Sequence, residues 1–218
     1  MAPQLTSPVP RVDCCLRRVK LATMGTWIAL LRGINVGGRN MLPMKRLAAL
    51  LEAAGCAGVR TYIQSGNVVF AHPARGTARL EKLIADVIKS EFGFSPQVMV
   101  LSAAELAAAA EANPWLEAND APTSLHVYFL ASEPAAPDLA AMKAIKRDNE
   151  RFVLRGRVFY LFALDGVGQS KLAERAERLL GVAATARNWR TVTTLVEMAA
   201  EKAGGAIRGA RTCEGSGR

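Results

Sequence analysis

The chain has 218 residues and a formal net charge of +9, and 50% of its residues are hydrophobic. This composition is typical of a globular protein, and no apolar run reaches the ~18 residues that a membrane-spanning helix needs. The positive charge suggests a nucleic-acid partner. Much of that charge lies in two predicted tails, residues 1–23 and 205–218, so it carries little weight.

The cysteines and the amino terminus favour a reducing cytoplasm. No two cysteines have the spacing of metal ligands, and nothing suggests a secreted disulfide framework. Residues 1–23 are rich in proline and basic residues, and they lack the unbroken apolar stretch of a signal peptide. We interpret them as a disordered extension, with Met24 as a candidate start just before the first predicted strand.

The first half of the chain predicts the element order βαββαβ. One helix begins at Pro43, because proline suits the first helical position, and ends at Gly55. A second apolar helix ends at Gly93. The joint Ser65-Gly66 between two β-rich runs indicates a tight two-residue hairpin. Strands are predicted at residues 26–33, 59–64, 67–71 and 97–101.

The second half predicts the same order again. Asp138 caps its first helix, and its second helix spans residues 169–180 and stops at Gly181. Asn188 caps a last helix, whose apolar face follows helical spacing. Strands are predicted at residues 125–130, 152–154, 158–162 and 182–186.

These elements predict an α+β fold, a tandem duplication of two ferredoxin-like (βαββαβ) subdomains with a connecting helix and a C-terminal helix. The inference of a duplication depends on the order of elements alone, because no repeat at the level of residues supports it. Ser102 and Glu105 form a capping box at the start of the connecting helix. The predicted segments are 24–101 (subdomain 1), 102–121 (connecting helix and linker), 122–187 (subdomain 2), 188–204 (C-terminal helix) and 205–218 (disordered tail).

Four motifs resemble the bacterial family catalogued as Domain of Unknown Function 1697. They are LRGINVGGRNMLPM, VRTYIQSGNVVF, GVGQSKL and ARNWRTVTTL, within residues 24–203. The resemblance implies an α+β fold of two ferredoxin-like halves and implies no activity, because the function of that family is not established. The family usually has two threonines before Arg-Asn-Trp. Here the stretch is Thr185-Ala186-Arg187, so a hydroxyl at position 186 is not required.

Each half is predicted to carry one polar, glycine-rich edge, and we expect the two edges to converge on a cleft between the halves. In the first unit, the exit of the first strand and the hairpin tip lie at one edge. In the second unit, the exits of the third and fourth strands lie together at the opposite edge. The first edge contains Arg32, Asn35, Gly37, Gly38, Arg39, Asn40, Gln64, Ser65 and Asn67. The second contains Gly166, Gly168, Ser170, Lys171, Arg187, Asn188 and Arg190.

These edges favour binding of a small anion bearing a phosphate or a carboxylate. Helices are predicted to begin after Asn40 and around Ser170, and unpaired N–H groups at a helix start attract anions. Arg39, Lys171 and Arg187 are the candidate charge clamps. The stretch GINVGGRN has phosphate-loop spacing, but Arg39 replaces the lysine and Asn40 replaces the hydroxyl that would hold magnesium. We predict no metal site and no cofactor.

Three alternatives stay open. The motif residues could instead serve the fold, with Asn35 and Asn67 bonding local backbone and Arg187 and Asn188 tying the last helix to the sheet. RNA or single-stranded nucleic acid could bind, although the aromatic residues of 158–162 are better explained as core. An enzyme is uncertain, because the motifs show no catalytic constellation.

The remaining candidates are interpreted as structural. His72 and His126 have no partner spacing that indicates a metal or a catalytic triad. Trp189 is interpreted as core or as a lid over the cleft edge. Ser65 and Ser170 have no histidine or acid close in sequence to activate them as nucleophiles.

Overall fold

The computed structural model describes residues 24–115 and 122–211. These residues form two four-stranded antiparallel sheets and six α-helices, so the fold is mixed α+β. Three segments lie outside the described residues: the predicted extension 1–23, residues 116–121 of the predicted linker, and residues 212–218 of the predicted tail.

The first sheet has the strand order β2-β3-β1-β4, and its neighbouring strands are antiparallel. Gly93 adopts the left-handed conformation that ends α2, as predicted. Along β1 the side chains alternate between two cores, because successive residues of a strand point to opposite faces. The elements are β1 (Gly25–Arg32), α1 (Met44–Ala53), β2 (Ala57–Tyr62), β3 (Asn67–His72), α2 (Thr77–Phe92) and β4 (Gln97–Ser102).

The connecting helix α3 (Ala103–Glu111) begins with the predicted capping box. Ser102 Oγ accepts a hydrogen bond from the backbone N–H of Glu105, and the Glu105 carboxylate accepts one from the backbone N–H of Ser102. The box thus provides acceptors for backbone N–H groups at the start of the helix.

The second sheet has the equivalent order β6-β7-β5-β8, again with antiparallel neighbours. Asp138 accepts a hydrogen bond from Ala141 N–H at the start of α4, and Gly181 ends α5 in the left-handed conformation, so both predictions are confirmed. The elements are β5 (Leu125–Leu130), α4 (Leu139–Ile145), β6 (Glu150–Arg155), β7 (Val158–Ala163), α5 (Lys171–Leu180), β8 (Ala184–Asn188) and α6 (Trp189–Arg211).

Helices α3 and α6 lie between the two sheets. Helix α6 contacts β1 and β3 of the first sheet and β5 and β8 of the second. The central core contains Ile28 and Leu30 from the first sheet, Val127 and Phe129 from the second, and Leu195 from α6. Helices α1 and α2 cover the other face of the first sheet, and α4 and α5 cover that of the second.

Several predicted boundaries were wrong. Strand β2 ends at Tyr62, so the hairpin loop has the four residues 63–66 rather than two. Strand β8 covers Ala184–Asn188 instead of 182–186, because its last residues pair with β5. Helix α6 continues to Arg211, beyond the predicted end at 204.

Candidate functional site

The stretch LRGINVGGRN forms the end of β1 and a small hairpin-like loop. The backbone N–H of Arg39 donates to Val36 O over 3.0 Å. Gly37 and Gly38 between them have φ of +57° and +71°. Two positive φ angles in succession define a type I′ turn, which glycine adopts without steric cost. The glycines therefore form the tip of this loop.

Two asparagines hold the loop closed. Asn35 Nδ2 donates to Leu42 O (3.0 Å) and to Gln64 O (2.8 Å), and its Oδ1 accepts from Leu42 N–H (2.7 Å). Asn40 Nδ2 donates to Gly33 O over 2.8 Å. Both have positive φ, which asparagine tolerates better than most residues. These amides bond the backbone, as the fold-serving alternative supposes.

The hairpin tip is tied to the same loop. Asn67 is fully buried, and its Nδ2 donates to Tyr62 O (3.1 Å) and Ser65 Oγ (2.9 Å). Gly66 has φ of +79°, and a Cβ there would lie 2.7 Å from Leu31 Cβ. Only glycine fits at this position without displacing its neighbours.

Arg187, on β8 of the second half, reaches into this tip. Arg187 as a whole residue is only 9% exposed. Its Nε donates to Asn67 Oδ1 over 2.5 Å, and its Nη2 donates to Leu31 O over 2.8 Å. Further acceptors are Thr185 Oγ1, Ala186 O, Ser65 O and Gly66 O. The guanidinium therefore bridges the two halves.

The charge of Arg187 is balanced by oxygen dipoles. No carboxylate among the described residues forms an ion pair with it. Burial lowers the pKa of Arg187 to about 10, because desolvation penalises the charged form. The group still stays protonated at neutral pH, and all three of its nitrogens already donate to protein acceptors.

Arg32 joins the halves in a different way. Its Nη1 and Nη2 donate to Glu177 Oε1 and Oε2 of α5 over 2.6 and 2.5 Å, a bidentate ion pair. This hydrogen bond raises the pKa of Arg32 and lowers that of Glu177. The pair lies at the surface, with the two side chains 43% and 38% exposed.

A cleft of about 350 Å³ lies between these two contacts. The first half contributes Leu31, Arg32, Gly33, Ile34, Val36 and Ser65. The second half contributes Tyr128, Ala173, Glu174, Glu177, Ala184, Thr185, Ala186 and Arg187. The structure thus brings three of the predicted site residues, Arg32, Ser65 and Arg187, to one cleft between the halves.

The other predicted site residues have separate roles. Ser170 and Asn188 are helix caps, accepting from Ala173 N–H (3.0 Å) and Thr191 N–H (2.9 Å). The side chains of Gln64, Arg39, Lys171 and Arg190 are exposed, and none makes a hydrogen bond or ion pair within the described part of the chain. Arg39, Lys171 and Arg190 lie outside the cleft lining, and their charged side chains have no hydrogen-bond or ion-pair partner among the described residues.

Sequence reasoning missed Glu174, Glu177 and Tyr128 in the cleft lining. The two acids belong to an ordinary amphipathic helix, in which exposed charges are expected. No local signal identifies Glu177 as the partner of an arginine that lies 145 residues away.

The two histidines, Trp189 and the aromatic residues of 158–162 do not line the cleft. His72 Nδ1 accepts from Ala74 N–H (3.0 Å). His126 Nδ1 is buried without a partner among the described residues, and burial lowers the pKa of His126 to about 4. Trp189 is buried in the central core, which confirms that interpretation. The aromatic residues Phe159, Tyr160 and Phe162 are buried as well.

No helix in the described part of the chain has the length and apolarity to cross a membrane. Within the same residues, no three His, Cys, Asp or Glu side chains are grouped so that they could hold a metal ion. The polar side chains in the cleft lining are those of arginine, glutamate, serine, threonine and tyrosine.

The fold and the cleft define an α+β protein whose two halves share one element order. The chain belongs to the family described as "Protein of unknown function (DUF1697)", whose model matches residues 24–160, and this confirms the resemblance noted in the sequence. The fold is similar to the solved structure of the conserved bacterial protein SP0830 from Streptococcus pneumoniae. The TM-score is 0.62 at 22% identity, over 81% of this chain and 99% of that one. No curated protein matches the chain.

Proposed function

We propose that the protein binds a small anionic molecule in the cleft between its halves. The observation that carries this proposal is the ion pair of Arg32 with Glu177 at the cleft. Both side chains stay more than a third exposed, at 43% and 38%. Because such a pair contributes only about 0–1 kcal/mol, a phosphate or carboxylate could replace Glu177 as the partner of Arg32.

Two further cations support this site. Arg39 belongs to the same tight turn as the cleft residue Val36, and Lys171 begins α5, the helix that carries Glu177. Both side chains are exposed and make no bond within the described residues. A charged hydrogen bond to a ligand contributes about 1.5–3 kcal/mol.

The cleft also limits the charge of the ligand. Glu174 and Glu177 line it together with Arg32 and Arg187. Arg187 already donates to protein acceptors, so its proposed role is to hold the floor of the cleft rather than to clamp the ligand. A ligand with one anionic group therefore fits better than a polyphosphate.

The test is a melting-temperature screen of the full chain against inorganic phosphate, nucleoside monophosphates, phosphosugars and small carboxylates. A ligand at ~100 times its dissociation constant adds about 2.7 kcal/mol of stability. We expect the shift to be lost in Arg32→Gln and kept in Arg46→Gln. Arg46 is a matched control, because its ion pair with Glu91 is also exposed and lies outside the cleft.

A second candidate is a structural or interaction protein without a small-molecule site. The contacts of Arg187, Asn35 and Asn67 favour it, because these motif residues bond protein atoms. A screen without any stabilising ligand, or a ligand shift unchanged in Arg32→Gln, would support this candidate. RNA binding on a sheet face is less favoured, because helices cover both faces of each sheet.

We further propose that the halves are duplicated ferredoxin-like subdomains of a bacterial, cytoplasmic protein. The repeated element order and the equivalent strand orders support the duplication. The buried free thiol of Cys56 suits a reducing compartment. Independent folding of residues 24–101 and 122–211, measured separately by circular dichroism, would test the subdomain boundaries.

A further inference from the structure

A second cavity, distinct from the cleft, lies where α3 packs against the second sheet. Its volume is about 270 Å³. Helix α3 contributes Ala108 and Ala109, and its C-cap residue Ala112 also lines the cavity, whereas the sheet contributes the large side chains of Phe129 and Tyr160. The space exists because alanine is too small to fill the distance between the helix and the sheet.

The walls of this cavity are held in place. Tyr160 lies on its floor, fully buried, and its hydroxyl donates to Ala109 O over 2.6 Å. This bond satisfies the phenol and ties α3 to β7. Apart from Glu105, Arg155 and Arg157, the rest of the lining is apolar, with Leu101 and Phe129 among its buried members. An apolar pocket with a few polar groups is the usual form of a small-molecule site.

Two arginines lie among the lining residues. Arg155 Nη1 donates to Ala112 O (2.7 Å), and Arg157 Nε donates to Leu130 O (3.1 Å). These bonds anchor both side chains at the cavity and leave their other N–H groups without partners in the described residues. The lining also includes Glu105, whose carboxylate is committed to the capping box with Ser102.

We propose that this cavity binds a small carboxylic acid with an aliphatic body. The apolar walls would take the chain, and Arg155 and Arg157 would take the carboxylate, since guanidinium groups match carboxylates in charge and geometry. At ~30 Å³ for each water-sized group, the volume holds roughly nine non-hydrogen atoms. A medium-chain acid such as octanoate, with about ten non-hydrogen atoms, is close to this size.

The test compares three probes of equal length and different charge: octanoate, 1-octanol and octylamine. Each is titrated into the full chain at neutral pH and followed by ¹H–¹⁵N NMR. We expect octanoate to bind most tightly, with shifts around Ala109 and Tyr160, and octylamine to bind most weakly. The double variant R155Q/R157Q should weaken octanoate binding at least tenfold and leave octanol binding unchanged.

Matched variants separate the cavity from the rest of the surface. A108L places a larger side chain in the cavity and should abolish binding of octanoate and octanol. A104L, an exposed position of the same helix outside the lining, should not. R175Q/R178Q, at two exposed positions of α5 outside the lining, removes the same number of charges as R155Q/R157Q and should leave octanoate binding unchanged. Octanol binding as tightly as octanoate would overturn the carboxylate assignment. Binding that persists in A108L, or no shift at millimolar octanoate, would overturn the site.

This inference does not depend on the proposed function of the cleft. Arg32→Gln should leave octanoate binding unchanged, because Arg32 does not line this cavity. A loss of octanoate binding in Arg32→Gln but not in R155Q/R157Q would assign the acid to the cleft instead.

Discussion

Two arginines connect the halves of this protein by opposite means. Arg187 is buried and bonds oxygen atoms of the protein, with no carboxylate partner among the described residues. Arg32 is exposed and pairs with a single carboxylate, Glu177. The first contact is specific in geometry and costly to break, and the second is weak and exchangeable.

This difference in bonding distinguishes an arginine that stabilises the fold from one that can bind a ligand. A buried guanidinium whose nitrogens all donate to protein acceptors has little left to offer a ligand. An exposed one in a surface ion pair can change partner. The conspicuous motif residue Arg187 is therefore the better candidate for a structural role, and Arg32 is the better candidate for contact with a ligand.

The largest expected effect is that of Arg187→Ala. The substitution would leave Asn67 Oδ1 and buried carbonyls such as Leu31 O without donors, and each buried unsatisfied group costs about 1–3 kcal/mol. We expect a loss of about 3–5 kcal/mol in the free energy of unfolding, measured with urea. Arg190→Ala, at an exposed neighbour, should change it by less than ~0.5 kcal/mol. Equal effects of the two would refute the structural role.

His126 sharpens the comparison, because it is a half-buried base whose buried Nδ1 has no hydrogen-bond partner among the described residues. Its folded pKa is about 4, below the ordinary 6.5. The unfolded chain therefore binds the extra proton first, and stability should fall as pH decreases from 6.5 toward 4. The full loss is roughly 3 kcal/mol at 1.36 kcal/mol per pKa unit. Urea unfolding across this pH range should show the fall, and His126→Phe should flatten it.

Two glycines of the first-half loops should differ in their tolerance of a side chain. Gly66→Ala places a Cβ 2.7 Å from Leu31 Cβ at a φ of +79°, so both crowding and strain apply. We expect a loss of about 2–4 kcal/mol. Gly37→Ala, at φ of +57° with nothing within 4 Å, should lose only about 1–2 kcal/mol. Thermal unfolding checks both, and similar losses would show that crowding at Gly66 is relieved.

The order of elements was predictable from sequence, and the long-range contacts were not. Helix ends such as Gly93 and the capping box of Ser102 have local signatures, since a cap depends on residues three or four positions away. The predicted length of the hairpin loop was wrong. The strand ends before Ile63, which adopts a φ of +48°, a value that is rare for a β-branched residue. Nothing local in the sequence indicates that conformation.

The candidate site was predictable only in part, for a related reason. Its polar segments are visible in the sequence, but their roles depend on partners far along the chain. Arg187 meets Asn67 across 120 residues. An arginine with buried acceptors and one with a displaceable carboxylate look alike in sequence, because both are single basic residues near the end of a strand.

The smallest expected effect is that of Arg32→Gln on stability. Because both partners are exposed, the loss at neutral pH should stay below about 1 kcal/mol, and 1 M salt should reduce it further. The pair lowers the pKa of Glu177, so its contribution exists above the unfolded pKa and disappears as pH falls through the folded one. Urea unfolding of both forms at pH 7 and at acid pH should show this convergence. A loss of several kcal/mol would make Arg32 a structural residue like Arg187 and remove the exchangeable contact from the cleft.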